Sequence, residues 1–441
     1  MKSMRKVLFP LLLLLALAAP TLASPLLNLN LNLDRTVLPT GQAEKAIIKV
    51  LLEVPQLSES SLRPPVNLCL VLDRSGSMSG HKLQKAKEAA LAALHRLSER
   101  DLFSLVTYDH TVTTLVPPQS VANSLWIESR IRAIAPGGNT ALFGAVSQGA
   151  AEIRKHQDEN YIQRMILLSD GLANVGPSSA SDLGRLGAAL LKEGISVTTI
   201  GIGTDFNEDL MAQLASRSDG NHYFVESSQD LPRIFAAELG DVLSVAASKI
   251  RIEIECLPGV SPLRIIGREG SIRGNRVQLQ MNQLYGGQQK YALIEVLIAP
   301  GSAGQKREIA RVNCRYENAL TNQAEKTLRL ASVSFSQRKE EVRRSASRVV
   351  QQAVVENEMA VARDRALDLY NAGRKDEAVR ELQQSSGKLE ARSASLGFSD
   401  LAEEAKSLEQ DAVEFAAPSI PSPRKKELRS ESYKVRKQQQ N

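Results

Sequence analysis

The sequence is poor in the side chains that bind soft metals. Its 441 residues include three cysteines and five histidines, and the histidines are scattered without the spacing of metal ligands. A large excess of one sign of charge is also absent over most of the chain. Three basic residues lie within the first six positions, and residues 424–437 hold seven basic and two acidic residues, so the body between these ends is slightly acidic. Such a body is not that of a nucleic-acid-binding domain.

Long apolar runs are absent except at the start of the chain. Residues 1–23 combine Lys2, Arg5 and Lys6 with a short apolar core and the small residues Thr21-Leu22-Ala23. This pattern predicts a secretory signal peptide, with an uncleaved anchor as the alternative. We therefore expect an exported protein, periplasmic or secreted, with no membrane span once the signal is removed.

The three cysteines fall in strand-like segments. Cys69 lies inside an apolar run and is expected to be a buried free thiol. Alternation places Cys256 and Cys314 on the inward faces of two strands. A disulfide between them and a pair of buried thiols are both compatible with this pattern in an oxidising compartment.

Hydrophobic patterning divides the rest of the chain into segments. Two alternating strands in 24–65 precede strands that alternate with helices in 66–247, which is typical of a doubly wound α/β sheet. Short alternating strands return in 248–335. The sequence thus predicts an α/β domain inserted in, or flanked by, a β-sandwich. A helical hairpin region (336–415) and a basic disordered tail (416–441) are expected to follow.

Polar side chains follow three points where the α/β pattern predicts the end of a strand or the start of a helix. Asp73, Ser75 and Ser77 alternate after the first buried strand, Thr140 lies in a glycine-rich loop, and Asp170 ends a central strand. Ligands of doubly wound sheets bind at the carboxyl ends of the strands. An all-oxygen set suits a hard cation, Mg²⁺ or Mn²⁺. Helix capping by Asp73 and Ser75 is the simpler alternative, but it does not account for Thr140 and Asp170.

The segments "DRSGSMSG", "GGNTAL" and "LLSDG" together resemble the von Willebrand factor type A domain with its metal-ion-dependent adhesion site. The resemblance covers about residues 66–245. It implies a Rossmann-like fold in which the hydroxyls of Ser75, Ser77 and Thr140 bind the metal, while Asp73 and Asp170 bind it directly or through water. The flanking strands are similar to those of bacterial exported proteins and, more loosely, of inter-alpha-trypsin inhibitor heavy chains.

The predicted function is metal-dependent binding of a protein partner. Neutral hydroxyls leave the ion electropositive, so we expect the partner to present Asp or Glu. No catalytic residues are predicted. Two alternatives remain: a scaffold whose helical region carries the interaction while the metal is structural, and a hydrolase of unrecognised type. The sequence does not specify the oligomeric state.

Overall fold

The chain begins with strands that find their partners near its other end. The structure is a computed structural model that describes residues 26–57, 63–157 and 160–439. The predicted signal peptide, 1–23, lies outside these residues. The first elements are three strands: β1 (Asn28–Leu33), β2 (Val37–Pro39) and β3 (Glu44–Glu53).

An α/β unit follows these strands. Its strands are β4 (Val66–Asp73), β5 (Leu102–Tyr108), β6 (Val112–Ser120), β7 (Ile162–Ser169), β8 (Ser196–Ile202) and β9 (His222–Val225). Its helices are α1 (His81–Arg96), α2 (Ser124–Arg132), α3 (Leu142–Arg154), α4 (Ala180–Lys192), α5 (Glu208–Ser218) and α6 (Leu231–Val242). The strand order is β6-β5-β4-β7-β8-β9, and all neighbours are parallel except β5 and β6. The predicted α/β fold class is therefore confirmed.

Seven strands then complete a two-sheet sandwich. They are β10 (Val245–Cys256), β11 (Val260–Ile266), β12 (Ser271–Arg273), β13 (Arg276–Tyr285), β14 (Gln289–Ile298), β15 (Lys306–Asn318) and β16 (Gln323–Ser336). One sheet has the order β1-β3-β14-β11 and the other β12-β13-β10-β15-β16-β2. Because β3 pairs with β14 and β2 with β16, the α/β unit is inserted between strands of the sandwich.

Both sandwich cysteines point into the shared core, as their alternation predicts, but as free thiols. On the neighbouring strands β10 and β15, Cys314 lies opposite Ile252, whereas Cys256 lies opposite Ala310. This offset separates the two thiols by roughly 13 Å along the strands, at about 3.3 Å per residue. A disulfide needs Cα atoms within about 7 Å. The structure therefore favours two buried thiols over a disulfide.

Helices form the C-terminal part of the chain. They are α7 (Lys339–Arg344), α8 (Arg348–Asn371), α9 (Lys375–Ser395), α10 (Ser399–Ala405), α11 (Ser407–Ala416) and α12 (Ser422–Lys437). The first turns of α8 pack Val350 and Val354 on Ile47 and Leu293 of the four-stranded sheet, and α8 to α12 share a separate small apolar core. Within the described residues, no helix is long and apolar enough to cross a membrane.

The expectation of a disordered tail over 416–441 is wrong for the described part of that segment. Helix α12 docks on α5 and α8, where its basic side chains meet acidic partners. Lys426 pairs with Glu208, and Arg429 pairs with Asp209 and Asp364. Composition alone indicated a solvated segment because these carboxylates lie far away in the sequence.

Candidate metal centre

The candidate site lies where the middle strands of the α/β sheet end. β4 and β7 are parallel neighbours, and Leu72 pairs with Leu168, so Asp73 and Ser169 finish their strands side by side. Both strands are buried along their whole length, as continuous apolar sequence predicts for a sheet covered on both faces. From β4 the chain runs to β5 and β6 on one side of β4, and it then crosses to β7 on the other side of β4. The site is thus at the point where the direction of strand order changes.

Asp73 is fully buried and holds the loop that follows β4. Its Oδ1 accepts a hydrogen bond from the backbone N–H of Ser75 at 2.8 Å, and its Oδ2 accepts one from the Ser169 hydroxyl at 2.7 Å. Burial raises the pKa of the Asp73 carboxyl above its ordinary value, and these hydrogen bonds oppose that shift. These hydrogen bonds tie Asp73 both to the turn that follows it and to the end of β7.

The two serines reach the other carboxylate. The Oγ atoms of Ser75 and Ser77 lie 3.0 Å apart, and Ser77 Oγ donates to Oδ1 of Asp170 at 2.7 Å. Thr140 enters from the glycine-rich loop before α3. Its backbone N–H donates to Asn174 Oδ1 at 2.8 Å, which fixes this loop to the one after β7.

The chemistry and placement of these groups fit a hard cation. A Cβ atom added to Gly171 would lie 3.1 Å from Thr140 Oγ1, 3.4 Å from Ser77 Oγ and 3.9 Å from Ser75 Oγ. Three hydroxyls therefore face one small space that the missing side chain of Gly171 leaves open. Among the described residues, no three His, Cys, Asp or Glu side chains are grouped to hold a metal, so hydroxyls would have to complete the set. All these donors are oxygen atoms, which Mg²⁺ and Mn²⁺ prefer.

A family model described as the von Willebrand factor type A domain matches residues 67–237. The chain contains a von Willebrand factor type A domain. Members of this family typically bind a divalent metal and mediate protein–protein interactions. The resemblance drawn from the three sequence segments is confirmed at the level of the domain.

Known proteins resemble the chain over different lengths. An uncharacterized protein of Synechocystis is 26% identical over 302 residues, which cover 66% of this chain and 70% of that protein. The inter-alpha-trypsin inhibitor heavy chain H2 of Sus scrofa is 28% identical over 174 residues, which cover 38% of this chain and 19% of the heavy chain. The likeness to the heavy chain is therefore limited to a small part of that protein.

A solved structure extends the likeness beyond the type A domain. The structure of von Willebrand factor type A from Catenulispora acidiphila has a TM-score of 0.71 and 18% identity, and the match covers 92% of this chain and 96% of that chain. At this identity the comparison concerns the fold. The sandwich and the helical region thus belong to an architecture shared with that protein.

Sequence reasoning overlooked Asp109, which supports the glycine-rich loop of the type A domain. Burial opposes ionisation of Asp109, but hydrogen bonds from Thr111 and Gly138 and the ion pair with Arg74 at 2.9 Å lower its pKa. A side chain at Gly137 would overlap the Asp109 carboxylate. The Asp109 carbonyl also accepts the backbone N–H of Ala141, next to Thr140. The position of Asp109 directly after β5, at the tip of the β5–β6 hairpin, was the sequence feature that could have indicated this role.

Sequence reasoning also gave Lys82 on α1 no role beside these donors. Its Nζ lies 2.5 Å from Oδ2 of Asp170, in an ion pair whose acidic partner is fully buried. The five predicted donor residues thus occupy the same end of the sheet, and Lys82 adds a cation beside them. Whether the five bind a metal remains a prediction.

Proposed function

We infer that this chain is an exported, divalent-metal-dependent protein-binding module that captures an acidic side chain of its partner through Mg²⁺ or Mn²⁺. The convergence of the hydroxyls of Ser75, Ser77 and Thr140 beside Gly171, between Asp73 and Asp170, carries this proposal. The proposed metal ligands are the side chains of Asp73, Ser75, Ser77, Thr140 and Asp170. The general role of type A domains in protein interactions supports it.

The charge of the donor set determines what the site would bind next. Three of the five proposed donors are neutral hydroxyls, and one carboxylate, Asp170, is already paired with Lys82. A divalent cation held in this way keeps positive charge. An incoming carboxylate is the ligand that such an ion favours, and the attraction is larger where water is excluded.

Matched peptides provide a direct test. Two peptide arrays should be prepared that differ only in carrying Asp and Glu or the uncharged Asn and Gln. We expect the protein to bind members of the first array in Mg²⁺, to release them in chelator, and to bind none of their amide counterparts. Equal binding to the two arrays, or binding that persists in chelator, would contradict the proposal.

The scaffold alternative has its own structural support. Helices α8 to α12 enclose a separate apolar core, and Val349 and Val413 are exposed on that region. A partner that binds there would be retained in chelator and lost when exposed positions of the helical region are changed. The same arrays and a Val413→Asp variant therefore separate the two functions.

A further inference from the structure

Lys82 occupies a defined position beside the proposed metal ligands. It is the second residue of α1, its side chain is 30% exposed, and its Nζ contacts Asp170 Oδ2 at 2.5 Å. On its other side lies the turn after β8, since a Cβ atom at Gly203 would be 3.7 Å from Nζ. The ammonium group is therefore held between two parts of the type A domain and does not extend freely into solvent.

The two oxygens of Asp170 face different groups. Oδ1 accepts the hydroxyl of Ser77, on the side where Ser75 and Thr140 converge, whereas Oδ2 faces Lys82. A metal cation bound by the hydroxyls would thus contact one oxygen of the buried Asp170 carboxylate, while the ammonium of Lys82 contacts the other. Two positive charges this close repel each other strongly where the surroundings exclude water.

Without Lys82, the Asp170 carboxylate would be buried and uncompensated. Asp170 has no exposed side-chain area, and a buried charge that loses its partner destabilises the folded state. The lysine therefore compensates Asp170 while no metal is bound, and its charge would oppose an incoming cation.

We propose that Lys82 is a resident counter-cation: it holds Asp170 in the metal-free protein and lowers the affinity of the site for a divalent cation. The inference rests on the proposed function, because it concerns the same site. It assigns Lys82 as a positioning residue that sets the metal concentration at which the site fills.

Lys82→Met tests the proposal, since methionine keeps much of the side-chain length without the charge. Lys85→Met is the matched control: Lys85 is one turn further along α1 and pairs with Glu88 at 2.6 Å, away from Asp170. In calorimetric titrations with Mg²⁺ alone, we expect Lys82→Met to bind roughly tenfold more tightly than the wild type. Lys85→Met and the charge-conserving Lys82→Arg should bind as the wild type does.

Thermal melting supplies a second readout. In chelator, Lys82→Met should melt below the wild type, and saturating Mg²⁺ should remove that difference, because the metal then compensates Asp170. Combining Lys82→Met with Asp170→Asn should abolish the effect of the first change in chelator. A purely structural lysine would lower the melting temperature equally with and without Mg²⁺.

The outcomes separate the two proposals. If neither the wild type nor Lys82→Met binds Mg²⁺, the metal site itself is wrong, and the role of Lys82 is wrong with it. If the wild type binds Mg²⁺ and Lys82→Met binds with equal or lower affinity, only the counter-cation proposal is overturned.

Discussion

Gly171 controls the space into which the three hydroxyls point. Gly171→Ala would place a methyl group 3.1 Å from Thr140 Oγ1, so the hydroxyls would have to move apart or the space would be filled. We expect this variant to lose measurable Mg²⁺ binding in calorimetry. The free energy of unfolding in chelator should change by only about 1 kcal/mol, because the loop can shift slightly without a metal.

Gly240→Ala is the control for this change. Gly240 lies in α6, and a Cβ atom there would meet nothing within 4 Å. Alanine should raise helix stability by up to ~1 kcal/mol and leave Mg²⁺ binding unchanged. Undiminished binding in Gly171→Ala would show that the cation does not use the space between the hydroxyls.

Thr140 tests the hydroxyl itself. Thr140→Val keeps the shape of the side chain but removes the oxygen, whereas Thr140→Ser keeps the oxygen. We expect the valine variant to bind Mg²⁺ at least about tenfold more weakly, equivalent to ~1.4 kcal/mol, and the serine variant to stay near the wild type. Equal affinities in the two variants would remove Thr140 from the ligand set.

The proposed metal ligands could be predicted from the sequence, but the side chains that contact them could not. Asp73, Ser75, Ser77 and Asp170 could be grouped because parallel strands end at one edge of a sheet, whereas Thr140, in the loop before α3, was added through its glycine-rich segment and the resemblance of that segment to the family. The ion pair of Lys82 with Asp170 depends on the direction in which a long side chain turns at the start of α1. No spacing in the sequence specifies that direction.

At the scale of secondary-structure elements, α12 is held by a cluster of ion pairs around the buried guanidinium of Arg429. Arg429 is only 9% exposed and contacts Asp209, Asp364 and Asp368. Arg429→Met should therefore lower the free energy of unfolding by about 2 kcal/mol, because it removes a buried cation, although Asp364 still pairs with Arg436 and Asp368 is exposed to water. Chemical denaturation measures this loss.

The matched control is Arg424→Met on the same helix. Arg424 is 33% exposed and pairs with Glu414 and Glu427 near the surface, where solvent screens the interaction. This variant should lose less than about 1 kcal/mol. Similar losses of unfolding free energy in the two variants would mean that the ion pairs of Arg429 stabilise the docked helix no more than the surface pairs of Arg424 do.

The contact between α12 and β9 should also respond to acid. His222 is buried beside Tyr433, and burial, with Arg429 and Lys426 nearby, lowers its pKa from 6.5 to about 3. The unfolded chain binds this proton at a higher pH, so the stabilisation is present above pH 6.5 and is lost as the pH falls toward 3.

Unfolding free energies at two pH values measure this effect. Between pH 7 and about pH 4.5, the wild type should lose ~2 kcal/mol more than His222→Gln. Exposed His95 pairs with Glu128 outside this contact. His95→Gln should keep the acid sensitivity that is due to His222, and equal pH dependence in His222→Gln and the wild type would contradict the assignment.

The cysteines show which part of strand geometry a sequence encodes. Alternation gives the face of a strand correctly, but the offset between neighbours depends on the register of β10 and β15. We therefore expect mass spectrometry after denaturing alkylation without reductant to find three modified thiols, at Cys69, Cys256 and Cys314. An intact link between the last two would show that the register differs.

At the scale of the whole molecule, the fold class could be predicted because apolar patterning is local. The alternation of strands and helices predicted the doubly wound α/β sheet, and the return to short strands predicted the sandwich, whereas the type A domain was recognised from its three polar segments. The docking of α12 could not be predicted in this way, because Leu428 and Tyr433 give it little apolar pattern and much of its contact with α5 and α8 is made by ion pairs. Charge complementarity between distant segments leaves no periodic pattern in either one.

The insertion of the type A domain has a consequence for the order of folding. Ile48 on β3 pairs with Ile294 on β14, so this sheet cannot close until the whole inserted unit has emerged during synthesis. The α/β sheet pairs only its own strands and can assemble earlier. Since long-range strand pairing is slow, the late sandwich rather than the type A domain should limit the rate at which the chain matures.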